Sequence, residues 1–286
     1  NSKKANYNQK KIDKHKAYID AKSQEYLDQL EQNDIQENPV VIKNIQQKIE
    51  GLKQNKIKYE LLEEELKNSG EPQISTTDAD ARALLVQGQV VEVSYNIQAA
   101  VDSKHNLVVA THTINRNDKN ALAAIALEVK ENLALETFTV LVDKGYHNGR
   151  ELHTCKQNNI TTIVAVPEQG KSNENGTQPE YLVSKFIYNK ENNSYTCPEG
   201  KTLTTTGSWH KKTGRTEESG YNFQKYRTPA CKTCLVKDLC TSRNGGREID
   251  RSQYADAVEE NHQRYKDNPQ LYRKRQEINE HIFGTI

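Results

Sequence analysis

"TFTVLVDKGYHNGRELHTCKQNNITTIVAVP", residues 137–167, sets two β-rich runs on either side of a polar segment of helix length. "TFTVLVD" and "ITTIVAVP" are rich in branched residues and read as strands, while "GRELHTCKQNN" reads as a short helix between them. Strand, helix, strand in that order describes two strands of one sheet with a helix crossing its face. The first strand runs directly into Asp143, and Lys144, Gly145 and Tyr146 follow at once. A buried strand has every reason to avoid a carboxylate. An Asp at its exit fits a strand end that presents an acid to a ligand, or, more plainly, a residue that opens a turn.

Working outward, "VVEVSYNIQAAVD" and "HNLVVATHTI" are also β-rich, and "DKNALAAIALEVKENL" carries a helical stripe of Leu122, Ile125, Val129 and Leu133. The pattern predicts a mixed α/β sheet flanked by helices. The period-two rule puts Gln98 and Asp102 on the same face of "YNIQAAVD". Asp102 therefore ends one strand and Asp143 another, and strand ends in an open α/β sheet form the crevice where chemistry usually sits. Two carboxylates brought close repel unless a proton or cation lies between them, and hard oxygen ligands suit Mg²⁺. "VDSKHN", like "VDKGY", equally reads as a turn.

The flanks differ in kind. Residues 1–70 are rich in Lys, Glu, Gln and Asn, with Ile42, Ile45, Ile49, Leu52, Tyr59 and Leu66 on alternating three- and four-residue steps. This predicts a helical hairpin resembling an antiparallel coiled coil, with Pro39 opening its second helix. A packing arm is its plainer role; Lys10, Lys11, Lys14 and Lys16 could instead touch phosphates. Residues 71–89 read as a linker and lead-in, and 90–167 as the first part of the α/β core. Residues 168–251 lose periodicity and hold four of the five cysteines, and 252–286 return to helix, with Pro269 opening the last.

The chain has 286 residues, 34% of them hydrophobic, and a net charge of +1, so any basic surface must be local. No apolar run reaches the ~18–20 residues of a membrane span, and the basic N-terminus is not a secretory signal. The absence of any Met suggests part of a longer chain. Without a signal peptide, the cysteines point to a reducing compartment and metal ligation. Cys197, Cys231, Cys234 and Cys240 suffice for a tetrahedral Zn²⁺ site that would staple a segment poor in apolar residues; reduced core thiols are the alternative. Cys155 reads as a small core residue. The only tryptophan, Trp209, lies among Lys211, Lys212 and Arg215, a grouping suited either to packing on the cysteine-rich core or to stacking on a base while the cations hold phosphates.

Taken together, "STTDADARAL", "YNIQAAVD", "NRNDKNAL", "VDKGYHNGREL" and "YRKRQEINEHIFGTI" resemble the DDE transposases of bacterial insertion sequences, over essentially the whole chain. The resemblance implies an RNase H-like fold, with the family's catalytic acids at Asp102, Asp143 and Glu280 holding Mg²⁺ or Mn²⁺. It implies DNA contacts from Tyr272 and Arg275, and an insertion tryptophan, here Trp209, that supports a flipped base. Apart from the resemblance, Lys211 and Lys212 are candidates from their basic grouping, and Lys144 from its place beside Asp143, with an exposed, solvated lysine as the equal alternative. It also implies a cysteine cluster in an insertion, which supports Zn²⁺. The partner would be double-stranded DNA, at element ends and target, bound by a homodimer, and the setting the bacterial cytoplasm at the nucleoid. The family's lysine would fall one position past Ile286, and upstream DNA-binding helices are lacking, which again suggests a fragment. Ser94 and Ala79 stand where such proteins often have Gly and Pro. The rival readings are a non-catalytic or decayed DNA-binding module that keeps the fold, and an RNase H-like nuclease with no joining step.

Overall fold

The computed structural model describes residues 3–34, 39–86, 90–167, 177–214 and 220–283, without the side chains of 33, 34, 85, 86, 90 and 279–283. It is a mixed α/β structure, with seven α-helices and several small sheets among the described residues. Two units divide the chain: residues 1–98 with 111–118, and residues 99–110 with 119–286.

In the first unit a two-residue strand, β1 (Asn6–Tyr7), leads into helices α1 (Gln9–Asp34) and α2 (Pro39–Ser69). The Asn8 side chain accepts the Lys11 N–H at 2.9 Å, satisfying one of the donors that the start of α1 leaves open. Strand β2 (Ile74–Ser75) returns to pair antiparallel with β1, which closes the open end of the hairpin. Tyr7, Ile12, Leu62, Leu66 and Ile74 form the core there, and His15 stacks on Tyr59 with ring centroids 4.7 Å apart. Of the heptad seam, Ile45 and Leu66 are buried and Ile42, Ile49, Leu52 and Tyr59 half-buried. Across the two helices Glu63 accepts from Lys16 at 2.8 Å, and Lys67 pairs with it at 2.8 Å. Strands β3 (Arg82–Val86) and β4 (Val90–Ser94) then pair antiparallel. β3 falls within the stretch 71–89 that the sequence presents as linker and lead-in.

Strands β5 (Asn96–Val101) and β6 (Val108–Ile114) pair with each other. After them come α3 (Leu122–Asn132), β7 (Phe138–Val142), α4 (Gly149–Gln157) and β8 (Ile160–Val164). β7 and β8 pair in parallel from Phe138–Ile160 to Val142–Val164, as their crossover helix requires. No ladder joins this pair to β5–β6 among the described residues, where the sequence suggested one continuous sheet. Apolar packing joins them instead: Ala100 and Val109 sit against Ala110, Ile125, Val129 and Phe138. Leu122, Ala126, Leu152, Cys155, Ile160 and Val164 fill the space between α3, α4 and β8. Cys155 is fully buried, and burial pushes its thiol up to about 12.

The start of α3 has no capping side chain of its own. Buried Glu151 of α4 accepts the Ala123 N–H at 2.8 Å, placing a carboxylate at the positive helix end.

The outer edge of β8 is closed by a helix. Asn261 of α6 (Ala255–Asp267) is fully buried and donates to Val164 O while accepting from Val164 N, both at 2.9 Å. Arg264 Nε donates to Thr162 O at 2.9 Å. In a parallel ladder alternate residues turn both backbone groups to the same side, so Thr162 and Val164 would otherwise present bare edge groups. Gly149 permits the close approach of α4 and α6, since an added Cβ would lie 3.1 Å from Tyr254 Cβ and 3.3 Å from Val258 Cγ2.

Between β8 and α6 the sequence suggested a region without period. Among the described residues it holds six short strands: β9 (Ile187–Asn189), β10 (Ser194–Thr196), β11 (Thr202–Thr204), β12 (Trp209–Lys212), β13 (Tyr221–Tyr226) and β14 (Ile249–Ser252). They form two three-stranded sheets, β11-β10-β9 and β12-β13-β14, joined by a Thr204–Arg227 bridge. A single-turn helix, α5 (Lys237–Cys240), precedes β14, and α7 (Pro269–Phe283) follows α6. The core is largely aromatic, with Phe186, Tyr195 and Tyr226 packed around Leu203 and Ile249.

Two outcomes are expected. Asn261→Leu should lower unfolding stability by ~2–4 kcal/mol in denaturant titration, because the Val164 amide loses both partners; an unchanged midpoint would mean the β8 edge is satisfied otherwise. Glu63 is held down to about 2, first by its hydrogen bonds from Lys16, Lys67 and Gln9. A depressed carboxylate stabilises fully above its ordinary 4.5 and loses that contribution as pH falls toward 2. The stability of Glu63→Gln should therefore be flatter than that of the native chain across this window.

Candidate active site

Asp102 follows β5 directly and organises the turn to β6. Its N–H donates to Leu107 O and its carbonyl accepts from Asn106 N, both at 2.9 Å, and Asn106 takes the left-handed conformation at φ 56°. Its Oδ2 accepts from His105 N at 2.7 Å and meets His105 Nδ1 at 3.0 Å. The His105 backbone bond is the main reason the carboxyl lies below the usual range, and partial burial opposes it. Behind Asp102 the strand is polar inside. Gln98 is 3% exposed and Ile97 64% exposed, a reversal of the ordinary preference. It is made possible by Asp118, whose Oδ1 accepts from Gln98 at 2.8 Å and from Asn96 at 2.7 Å.

Asp143 follows β7 and caps a turn of 3-10 helix, Lys144–Tyr146, with Oδ1 accepting from Gly145 N at 2.7 Å. Both strand-end acids thus have turn-forming work, the plainer of the two sequence readings, and each stands where a strand leaves its sheet. Lys144 is exposed. Next in this turn His147 buries Nε2 with no hydrogen-bond partner among the described residues; burial lowers its pKa and His262 adds to the effect. Nothing in the spacing of the sequence marked His147 out.

Helix α7 packs beside β7. At its start Tyr272 meets Tyr265 edge-on, with centroids 4.9 Å apart, and the Arg275 guanidinium lies 5.4 Å from the Tyr272 ring. Burial raises the Tyr272 phenol, Arg275 opposes this, and the negative charge of Asp143 reinforces it. Arg275 Nε is buried without a partner among the described residues. Glu280 lies in α7, eight positions beyond Tyr272, and its side chain is outside the described residues. Among the described residues no three His, Cys, Asp or Glu side chains are grouped to hold a metal.

The four clustered cysteines, all unpaired, line one cavity together with Phe186, Leu203 and Arg247. Cys197 begins a tight loop: its carbonyl accepts from Gly200 N at 2.9 Å, and its Sγ accepts from Lys201 N at 3.3 Å. Gly200 has φ +70°. Opposite, Gly246 has φ +89°, and an added Cβ would stand 2.3 Å from Cys231 Cβ. Burial raises the Cys240 thiol, Arg247 offsets part of this, and the other three cysteines push it further up. The thiols share a cavity without closing on one point.

Trp209 does not pack on this cavity. It is 57% exposed on edge strand β12, in register with Gln224 of β13. Strand alternation puts Lys211 on the face of Trp209. Lys212 takes the other face, where it lies 5.7 Å from the Tyr221 ring. The three residues grouped in sequence are therefore divided between two faces. Arg215, beside them in sequence, lies outside the described residues.

Gly246→Ala should disrupt the cavity by ~1–3 kcal/mol, since it combines a left-handed φ with a clash. Faster alkylation of Cys231 and a lower unfolding midpoint are the expected readouts, and native alkylation rates would contradict this account of the loop.

No curated protein and no solved structure matches the chain. A family model does: the one described as Transposase DDE domain matches residues 196–286, from the strand that precedes Cys197 through the helix that carries Glu280. The resemblance to DDE-type transposases is thus supported by a family match over the C-terminal third of the chain.

Proposed function

We propose that this chain is the catalytic portion of a DDE transposase that cuts DNA at the ends of an insertion sequence and joins it to a target. The family match runs over residues 196–286, a segment that includes Glu280. The observation that carries the extension to a working site is the placement of α7 beside β7, close enough that the charge of Asp143 is felt at Tyr272. Asp102, Asp143 and Glu280 also belong to the same unit. In this reading the core is RNase H-like, residues 168–251 are an insertion into it, and residues 1–70 are an arm.

The donor set fits a hard divalent ion. Asp143 commits Oδ1 to its own turn, leaving Oδ2, and Asp102 gathers its two His105 contacts on Oδ2. Asp102, Asp143 and Glu280 would hold Mg²⁺ or Mn²⁺, ions that lower the pKa of an attacking hydroxyl and neutralise charge at a phosphodiester. The remaining work belongs to the protein. Arg275, with a buried guanidinium Nε that needs a partner, and Tyr272 are suited to gripping backbone phosphate beside the acids. Lys144 is free to reach a neighbouring phosphate. Trp209 and Lys211, exposed on one face of β12, offer a ring for an unpaired base and a cation for its phosphate; Lys212 would serve only from the opposite face.

The cysteine cavity suits a structural Zn²⁺. Four thiols line it, and the Lys201 N–H donates to Cys197 Sγ, which holds that sulfur at the cavity wall. Zinc would draw the thiols together and staple sheets that have few aliphatic residues between them. The partner is double-stranded DNA, engaged by a homodimer on paired ends in the bacterial cytoplasm. Among the described residues no helix is long and apolar enough to cross a membrane.

Asp143→Asn keeps an oxygen to accept from Gly145 and should fold normally while losing Mn²⁺-dependent cleavage of a DNA end by ~10³-fold or more. Retained cleavage would refute the catalytic role and favour a DNA-binding module. Metal analysis of the purified chain should find about one zinc per chain, lost in a Cys231→Ser, Cys234→Ser double variant.

A further inference from the structure

One buried cation stands where the cysteine-rich sheets meet the C-terminal helices, and neither the DNA reading nor the zinc reading uses it. Arg251 is on β14, and only Gln253 and Tyr254 separate that strand from α6. Its side chain is 8% exposed. The guanidinium grips Glu259 through both terminal nitrogens, and Nη2 also bonds Asp256, so α6 offers it two carboxylates. On the sheet side Nη1 donates to Tyr195 Oη at 3.0 Å, and the guanidinium carbon lies 3.5 Å from the centre of the Tyr188 ring. Burial alone would lower the pKa of Arg251. The Glu259 and Tyr195 bonds outweigh it and leave the group firmly charged.

We propose that Arg251 is the positioning residue that fixes the cysteine-rich lobe to helix α6, so that DNA held on the lobe meets the acids at a set distance. The inference rests on the transposase reading and deepens it. Its first ground is register. Arg251 pairs with Gln224, which pairs with Trp209, so these three residues form one row across β14, β13 and β12. Whatever fixes Arg251 fixes the row that ends in the exposed tryptophan. Its second ground is that α6 is itself immobilised, by the two Asn261 bonds to Val164 and by Arg264 on Thr162. The lobe is therefore the part that Arg251 holds in place. Its third ground is chemistry. A planar, bidentate, ring-stacked guanidinium constrains direction as well as distance, which a flexible ammonium does not. Arg150, whose Nη2 donates to Gly220 O at 2.8 Å, is a second and weaker tie from α4.

The test measures geometry and turnover separately. Spin-labelled unnatural amino acids are placed at Leu235 of the lobe and Glu131 of α3, both exposed, and their distance distribution is recorded in the zinc-loaded chain. Arg251→Gln should broaden that distribution about twofold and lower kcat for end cleavage about tenfold, with the Kd for the same DNA held within about threefold. Glu259→Gln, which leaves Arg251 in place, should broaden it in the same way and decides the matter if Arg251→Gln fails to fold. Unchanged width in these variants overturns the proposal, as does a rise in Kd at constant kcat. A wild-type chain that cleaves no DNA would instead sink the transposase reading, and the width measurement would then judge the tie alone.

Discussion

The two hydrogen bonds between Asn261 and the Val164 backbone are the constraint on which the second unit depends. They turn a helix into the missing neighbour of a strand. Without them β8 would present bare amide and carbonyl groups inside an apolar setting, where an unmet pair costs more than the bonds themselves contribute. Because α6 is fixed in this way, everything attached to it inherits a position. α7 continues from its C-terminal end past Pro269, and Arg251 anchors the cysteine-rich sheets to its N-terminal half. Gly149 lets α4 approach from the side. One helix thus relates the strand that ends in Asp143, the helix that carries Glu280 and the lobe that presents Trp209.

Charge is handled differently in each part. At the strand ends the acids are spread along the chain and occupied with their own turns, so each carboxylate is restrained before any cation arrives. In the lobe one buried cation collects two half-exposed acids and two rings, and a buried charge is tolerated only when it is paired. In the helical hairpin the ion pairs lie at the helix surface, where solvent screens them, and apolar residues such as Ile12 and Leu66 supply the packing.

How much could be read beforehand follows from where the period is strong. "TFTVLVD" and "ITTIVAVP" form a parallel pair, the first half-buried and the second buried, and strands covered in this way are spelled in branched apolar residues. Of the stripe Leu122, Ile125, Val129 and Leu133, the first three form the inward face of α3, while Leu133 follows the helix end and is exposed. Pro39 and Pro269 each open a helix, because a missing N–H is harmless there. The six strands of the cysteine-rich segment were illegible: they run to only three to six residues, are rich in Thr, Tyr and Lys, and gain their burial from aromatic rings brought in from distant positions. Gln98 was legible as a partner of Asp102 on one face, but its burial depends on Asp118, twenty positions on, which no local rule reveals. The four cysteines were legible as a group, and they line one cavity; how closely the thiols approach one another there could not come from spacing alone. Arg251 was invisible, because its meaning lies wholly in partners from three separate elements.

The account requires that Asp102, Asp143 and Glu280 act on one ion centre. The most direct measurement is a crystal structure of the chain grown with Mn²⁺ and a short DNA end, with the ions located by anomalous scattering. The account predicts manganese bonded to carboxylate oxygens of all three residues, with the DNA phosphate beside it. Manganese bound elsewhere, or a Glu280 carboxylate turned away from an ion held by the two aspartates, would contradict it.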